Sequence, residues 1–157
     1  MFSKLLNAAL FTAAIAFVRV HAETHTVSFV NKCVDGTPWL WGPNGALYTS
    51  TGASITFDGE APGLISYLQT GSCGNNGEGC TLIEASLING ASSADISLIP
   101  PHEFSVTSGF GYYGGCEPAG ADCTYAQCPD AFHTSGMTGV QVDCIADNVD
   151  LSITFCD

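Results

Sequence analysis

Hydrophobic and polar residues alternate with period two along much of the chain. Val27 and Phe29 share one side of Thr26-Val27-Ser28-Phe29, and Ile55 and Phe57 share one side of Ser54-Ile55-Thr56-Phe57. Val140-Gln141-Val142-Asp143 repeats the pattern. The clearest run comes last: Val149, Leu151, Ile153 and Phe155 interleave with Asp150, Ser152 and Thr154. One apolar and one polar face is the pattern of a half-buried antiparallel strand. Turn residues separate these runs, at Gly42-Pro43-Asn44-Gly45, Asp58-Gly59, Gly74-Asn75-Asn76-Gly77 and Asn89-Gly90. Short strands punctuated by glycine and proline predict an all-β sandwich or barrel. No segment carries the period of a long amphipathic helix. Ser108 to Asp130, with five glycines and three cysteines, breaks the alternation. It reads as a disulfide-tied loop lobe of a single domain.

The start of the chain follows another rule. Lys4 precedes an almost unbroken apolar run from Leu5 to Val18, and Val20-His21-Ala22 suits a signal peptidase. Residues 1–22 are therefore expected to be a secretory signal, and 23–157 the mature domain. The apolar run is short for a membrane span of about 20 residues, so no anchor is expected. Processing would remove Lys4 and Arg19 and move the formal charge from −12 to −14, with Lys32 as the one remaining Lys or Arg against 15 acids. Such a chain cannot neutralise a phosphate backbone, which excludes nucleic acid. Neutral polymers, cations and basic proteins remain as partners. A monomer is expected.

Eight cysteines follow the leader: Cys33, Cys73, Cys80, Cys116, Cys123, Cys128, Cys144 and Cys156. An even count in a small exported protein reads as a disulfide framework, although eight cysteines allow 105 pairings. The residues around them resemble a known family. Val27-Ser28-Phe29-Val30-Asn31-Lys32-Cys33, Thr70-Gly71-Ser72-Cys73-Gly74, Thr81-Leu82-Ile83-Glu84-Ala85-Ser86-Leu87, Asp95-Ile96-Ser97-Leu98, Cys128-Pro129-Asp130-Ala131-Phe132 and Thr154-Phe155-Cys156 stand in the order of segments found in thaumatin-like proteins. The chain is similar to the short secreted members found in fungi. The resemblance implies a thaumatin-like sandwich and the pairs Cys33–Cys156, Cys73–Cys80, Cys116–Cys144 and Cys123–Cys128.

It also implies a site. Many thaumatin-like proteins carry an acidic cleft for β-1,3-glucan, formed by one arginine, one glutamate and three aspartates. Glu84 and Asp95 match the glutamate and the first aspartate, and each sits on the polar side of its strand. Two such carboxyls suit glycoside hydrolysis, one as acid and one as base or nucleophile. Glu103 is a loose substitute for the second aspartate. Met137 and Thr138 hold the place of the third, and the cleft arginine has no counterpart. Aromatic rings offer another route to sugar. Trp39 and Trp41 share a strand face, where they either stack on sugar or pack in the core. Tyr112 and Tyr113 sit among glycines and have the same two readings. The sequence thus points to a secreted protein that binds neutral cell-wall polysaccharide through Glu84, Asp95, Glu103, Tyr112 and Tyr113. Weak glucan hydrolysis by Glu84 and Asp95, or a non-catalytic defence or structural role on proteins or membranes, is the alternative. No cofactor or metal is expected of the fold. One chemical exception is a mature terminus Glu23-Thr24-His25, whose amine, amides and imidazole would form a square-planar Cu(II) site, unless His25 simply begins the first strand.

Overall fold

The computed structural model describes residues 22–157; the expected leader, save Ala22, lies outside them. Twelve strands form two sheets. They are β1 (Thr24–Asn31), β2 (Thr37–Gly42), β3 (Ala46–Thr49), β4 (Ile55–Asp58), β5 (Ala61–Gln69), β6 (Leu82–Leu87), β7 (Ser92–Ser97), β8 (Ser108–Tyr113), β9 (Gly120–Cys123), β10 (Ala131–Phe132), β11 (Val142–Cys144) and β12 (Asp150–Phe155). The five-stranded sheet runs β4-β1-β12-β8-β9; the larger one runs β10-β7-β6-β5-β2-β3, with β11 also on β7. No α-helix occurs among the described residues.

The alternation in the sequence becomes the interface between the sheets. Leu151, Ile153 and Phe155 of β12 are buried and meet Leu40, Leu64, Leu68, Ile83, Leu87 and Ile96 of the larger sheet in one core. Full burial of each such side chain contributes about 1.5–3 kcal/mol. The sheets are mixed rather than purely antiparallel. β1 and β12 run parallel, with Asn31 opposite Phe155, so Cys33 and Cys156 emerge at the same end of the seam. There they are joined. The remaining bridges are Cys73–Cys80, Cys116–Cys144 and Cys123–Cys128, and no cysteine is free.

Two sequence expectations are corrected here. The glycine-rich segment is not all loop, because it supplies β8 and β9 to the smaller sheet. Its glycines are there for space: a Cβ on Gly109 would lie 2.7 Å from Asp122 Oδ1 and 2.9 Å from the Ala121 carbonyl. Close backbone approach hides the strand pattern that larger residues would show. His25 is not part of a free terminus. It is fully buried in β1, with Nδ1 2.6 Å from the Val149 carbonyl and Nε2 3.0 Å from Glu23 Oε1. Both ring nitrogens are engaged, which removes the imidazole from the proposed copper site.

Candidate functional site

The outward face of the larger sheet carries a row of side chains that crosses the strands. Trp41 of β2 is opposite Ile65 of β5, Ile65 is opposite Glu84 of β6, and Glu84 is opposite Asp95 of β7. Directly opposed residues share a face, with Cβ atoms about 4.5–5.5 Å apart. The polar alternation of β6 and β7 thus brings the two carboxyl groups side by side. Gln141, one residue before β11, closes the row, its amide donating to Asp95 Oδ2 over 3.4 Å.

Ile65, Glu84, Asp95 and Gln141 line a pocket of about 300 Å³ with Gly63, Ser86 and Ser93. Its rim includes an irregularity in β5 between Ala61 and Leu64, where Gly63 N–H donates to Ser86 Oγ. A bulge of this kind bends its strand and re-aims neighbouring side chains.

Asp95 is only 7% exposed, and its Oδ1 has no hydrogen-bond partner. Burial, reinforced by the Glu84 charge, pushes its carboxyl up to about 6; the Gln141 amide opposes the shift weakly. Asp95 is therefore a sunken carboxyl that takes up a proton as pH falls through about 6, and below that it offers a hydroxyl group both an acceptor and a donor.

The other sequence candidates lie elsewhere. Tyr112 is 3% exposed, stacks edge-on against Phe110 at 6.2 Å, and donates its hydroxyl to the Val142 carbonyl. It is a core residue and has no ring face to offer a ligand, contrary to the sequence reading. Tyr113, opposite Asp150 on the smaller sheet, does not line the pocket. Glu103 is exposed beside the Cys73–Cys80 loop, its N–H donating to the Cys80 carbonyl, and it too lies outside the pocket. Among the described residues no cluster of three or more His, Cys, Asp or Glu could hold a metal.

The sequence reading missed Gln141 as a neighbour of Asp95. Its place as a polar residue among valines marked the strand edge, but only the β7–β11 register shows what it meets. The tryptophans lie outside the main core, partly buried. Trp39 and Trp41, 5.8 Å apart, form a satellite cluster with Tyr67, Cys80 and Leu82 on the outward face.

Neither a protein-family profile nor a curated protein sequence matches the chain. Solved structures do. The thaumatin-like xylanase inhibitor TLXI superposes with a TM-score of 0.54 at 18% identity, over 85% of this chain and 99% of its own. The protein elicitor MoHrip2 from Magnaporthe oryzae superposes with a TM-score of 0.51 at 16% identity, over 87% of this chain and 100% of its own. At these identities the likeness is one of fold, and with its four disulfides the fold is that of a small thaumatin-like protein.

Proposed function

We propose that this chain is a secreted protein that binds neutral cell-wall polysaccharide of the β-1,3-glucan type, without hydrolysing it. The observation that carries the reading is the opposed pair Glu84 and Asp95 in a pocket on an outward sheet face. A buried carboxyl with an unsatisfied oxygen is costly to folding, on the order of 1–3 kcal/mol. Perturbed, buried acids of this kind cluster at functional sites, and the accessible neighbour at this one is Glu84. Sugar hydroxyls supply donors and acceptors without adding charge, which suits a face whose acids repel anionic polymers. Export is supported by the leader pattern and by four bridges, which persist in oxidising compartments.

Binding is favoured over catalysis for two reasons. Asp95 lies at the floor of the pocket, where a glycosidic oxygen reaches it poorly. The arginine of the acidic cleft that the resemblance implies has no counterpart in residues 23–157. The test is retention on insoluble β-1,3-glucan, with chitin and cellulose as comparisons. Glu84→Gln and Asp95→Asn should each weaken retention about tenfold, as expected for a lost hydrogen bond to a charged group. Wild-type retention by both variants would sink the proposal. New reducing ends in the glucan would move the site to the hydrolase reading, with Asp95 as the acid.

A second reading draws on the structural neighbours, one named as a xylanase inhibitor and the other as a protein elicitor. The same acidic face would then receive a basic side chain from a protein partner. Its signature is inhibition of a xylanase by a protein that no glucan retains.

A further inference from the structure

A second pocket, of about 490 Å³, opens beside the first and is lined by Trp41, Asn44, Asn75, Asn76 and Ile65. Ile65 lines both. The two pockets are therefore successive stations on the cross-strand row Trp41–Ile65–Glu84–Asp95. Three strand spacings separate its ends, about 14 Å at about 4.8 Å each.

The chemistry of the second pocket differs from the first. None of its lining residues is charged. Its three asparagines are exposed, and each amide carries both a donor and an acceptor. Its wall is one half-buried indole. That indole is held firmly: Trp41 Nε1 donates to the Tyr67 hydroxyl over 3.0 Å, and Tyr67 in turn donates to the Asn75 carbonyl over 3.0 Å. The loop closed by Cys73–Cys80 presses on this cluster from outside. At Gly77, with φ +79°, a Cβ would lie 2.6 Å from Leu82 and 3.0 Å from the Tyr67 ring. The ring is thus oriented before any ligand arrives, and its one donor is already engaged. What remains for a ligand is a flat apolar surface bordered by amides. A pyranose ring presents the complement: an apolar patch of C–H groups, with hydroxyls around its edge.

We propose that the Trp41 pocket is a second sugar subsite, so that one neutral β-glucan chain lies across the strands from Trp41 over Ile65 to Glu84 and Asp95. This rests on the glucan reading of the acidic pocket and extends it: specificity for chain length is built in, because only an oligosaccharide long enough to span the row touches both stations.

The experiment titrates the mature protein with soluble linear β-1,3-gluco-oligosaccharides, from disaccharide to heptasaccharide. Trp39 and Trp41 are the only tryptophans and both belong to this cluster, so their fluorescence reports the subsite directly. Affinity should rise by about tenfold at the length that first spans the row, with a shift in tryptophan emission at that same length. Trp41→Ala should abolish the step, and Trp41→Phe should restore part of it. Asn44→Gly, which suits the φ of +60° at that position, and Asn75→Ala change exposed side chains and leave the packed cluster alone. Each should reduce the step about threefold to fivefold. Calorimetric isotherms that are flat with length, or unchanged by all four substitutions, would overturn the second subsite while leaving the acidic one standing. Failure of the wild-type protein to bind any oligomer would remove both together.

Discussion

His25 and Asp95 are both titratable and both buried, at 0% and 7% exposure, yet their surroundings are opposite. His25 lies in the seam between β1 and β12, and each ring nitrogen meets an oxygen that accepts: the Val149 carbonyl and the Glu23 carboxylate. Glu23 is matched in turn. Its Oε1 also accepts from the Asn89 N–H, and the His25 bond, followed by that one, holds its carboxyl below the usual range. Asp95, on the outward face of the other sheet, has a carboxylate neighbour, one long amide contact and one oxygen with nothing. A buried polar group with all its partners stabilises and orients the fold. One left short of partners costs stability and is held in place by the rest of the structure. By this contrast the seam is architecture, and the outward row is the surface we propose for a ligand.

The largest expected effect tests the seam. His25→Ala removes two hydrogen bonds, opens a cavity beside β12 and leaves the Val149 carbonyl without its partner. Stability should fall by about 3–4 kcal/mol in urea denaturation, and glucan retention of the folded fraction should be unchanged. A loss below about 1 kcal/mol would show that the seam tolerates an unpaired group as readily as the outward face does, and the contrast would collapse.

The next effect has the opposite sign. Asp95 has its folded pKa raised from 3.8 to about 6, so between those values the folded chain holds a proton that the unfolded chain has released. The stability this gives is complete below 3.8 and is lost as pH rises through about 6. A shift of about two units corresponds to about 3 kcal/mol at neutral pH. Asp95→Asn should therefore stabilise the protein by about 2–3 kcal/mol at neutral pH, and the two denaturation curves should converge below 3.8. The same substitution should weaken glucan binding. Gain of stability with loss of binding is the signature of a site; destabilisation at neutral pH would make Asp95 a structural residue like His25.

Much of this was legible in the chain. The period-two runs identified the strands that form the core, because burial on one face writes itself into the sequence. Glu84 and Asp95 were legible as polar positions on their strands, and the segment resemblance marked them as candidates. Other features were hidden for definite reasons. The glycines of β8 and β9 answer to backbone clearance, which has no period. Tyr112 looked like a platform because aromatic residues near glycines suit both a loop and a strand, and only the sheet pairing shows its hydroxyl inside the core on Val142. His25 looked terminal because its partners, Val149 and Glu23, are distant or inconspicuous in sequence. The row from Trp41 to Asp95 depends on three registers at once. Register arises from turns and from a bulge near Gly63, and a one-residue slip in any strand would have scattered the four side chains over both faces.

The smallest effect asks whether the row acts as a unit. Glu84 contributes to the raised pKa of Asp95, but burial is the larger cause. Glu84→Gln keeps the shape of the side chain and removes its charge. The Asp95 midpoint should then fall below about 6 and remain above 3.8, because the burial persists. The accompanying gain in stability at neutral pH should be under about 1 kcal/mol, since one like-charge contact on a solvent-facing pocket is partly screened. Carbon-detected NMR titration of the Asp95 carboxyl in both proteins measures the shift directly. The pH at which glucan affinity changes should move down with it, because the proton on Asp95 decides whether that group donates to a sugar hydroxyl or only accepts. An Asp95 midpoint that stays in place when Glu84 is neutralised would mean that the two carboxyls do not sense each other. The site would then be two separate acids on one strand pair, and the Asp95→Asn result would have to be explained by burial alone.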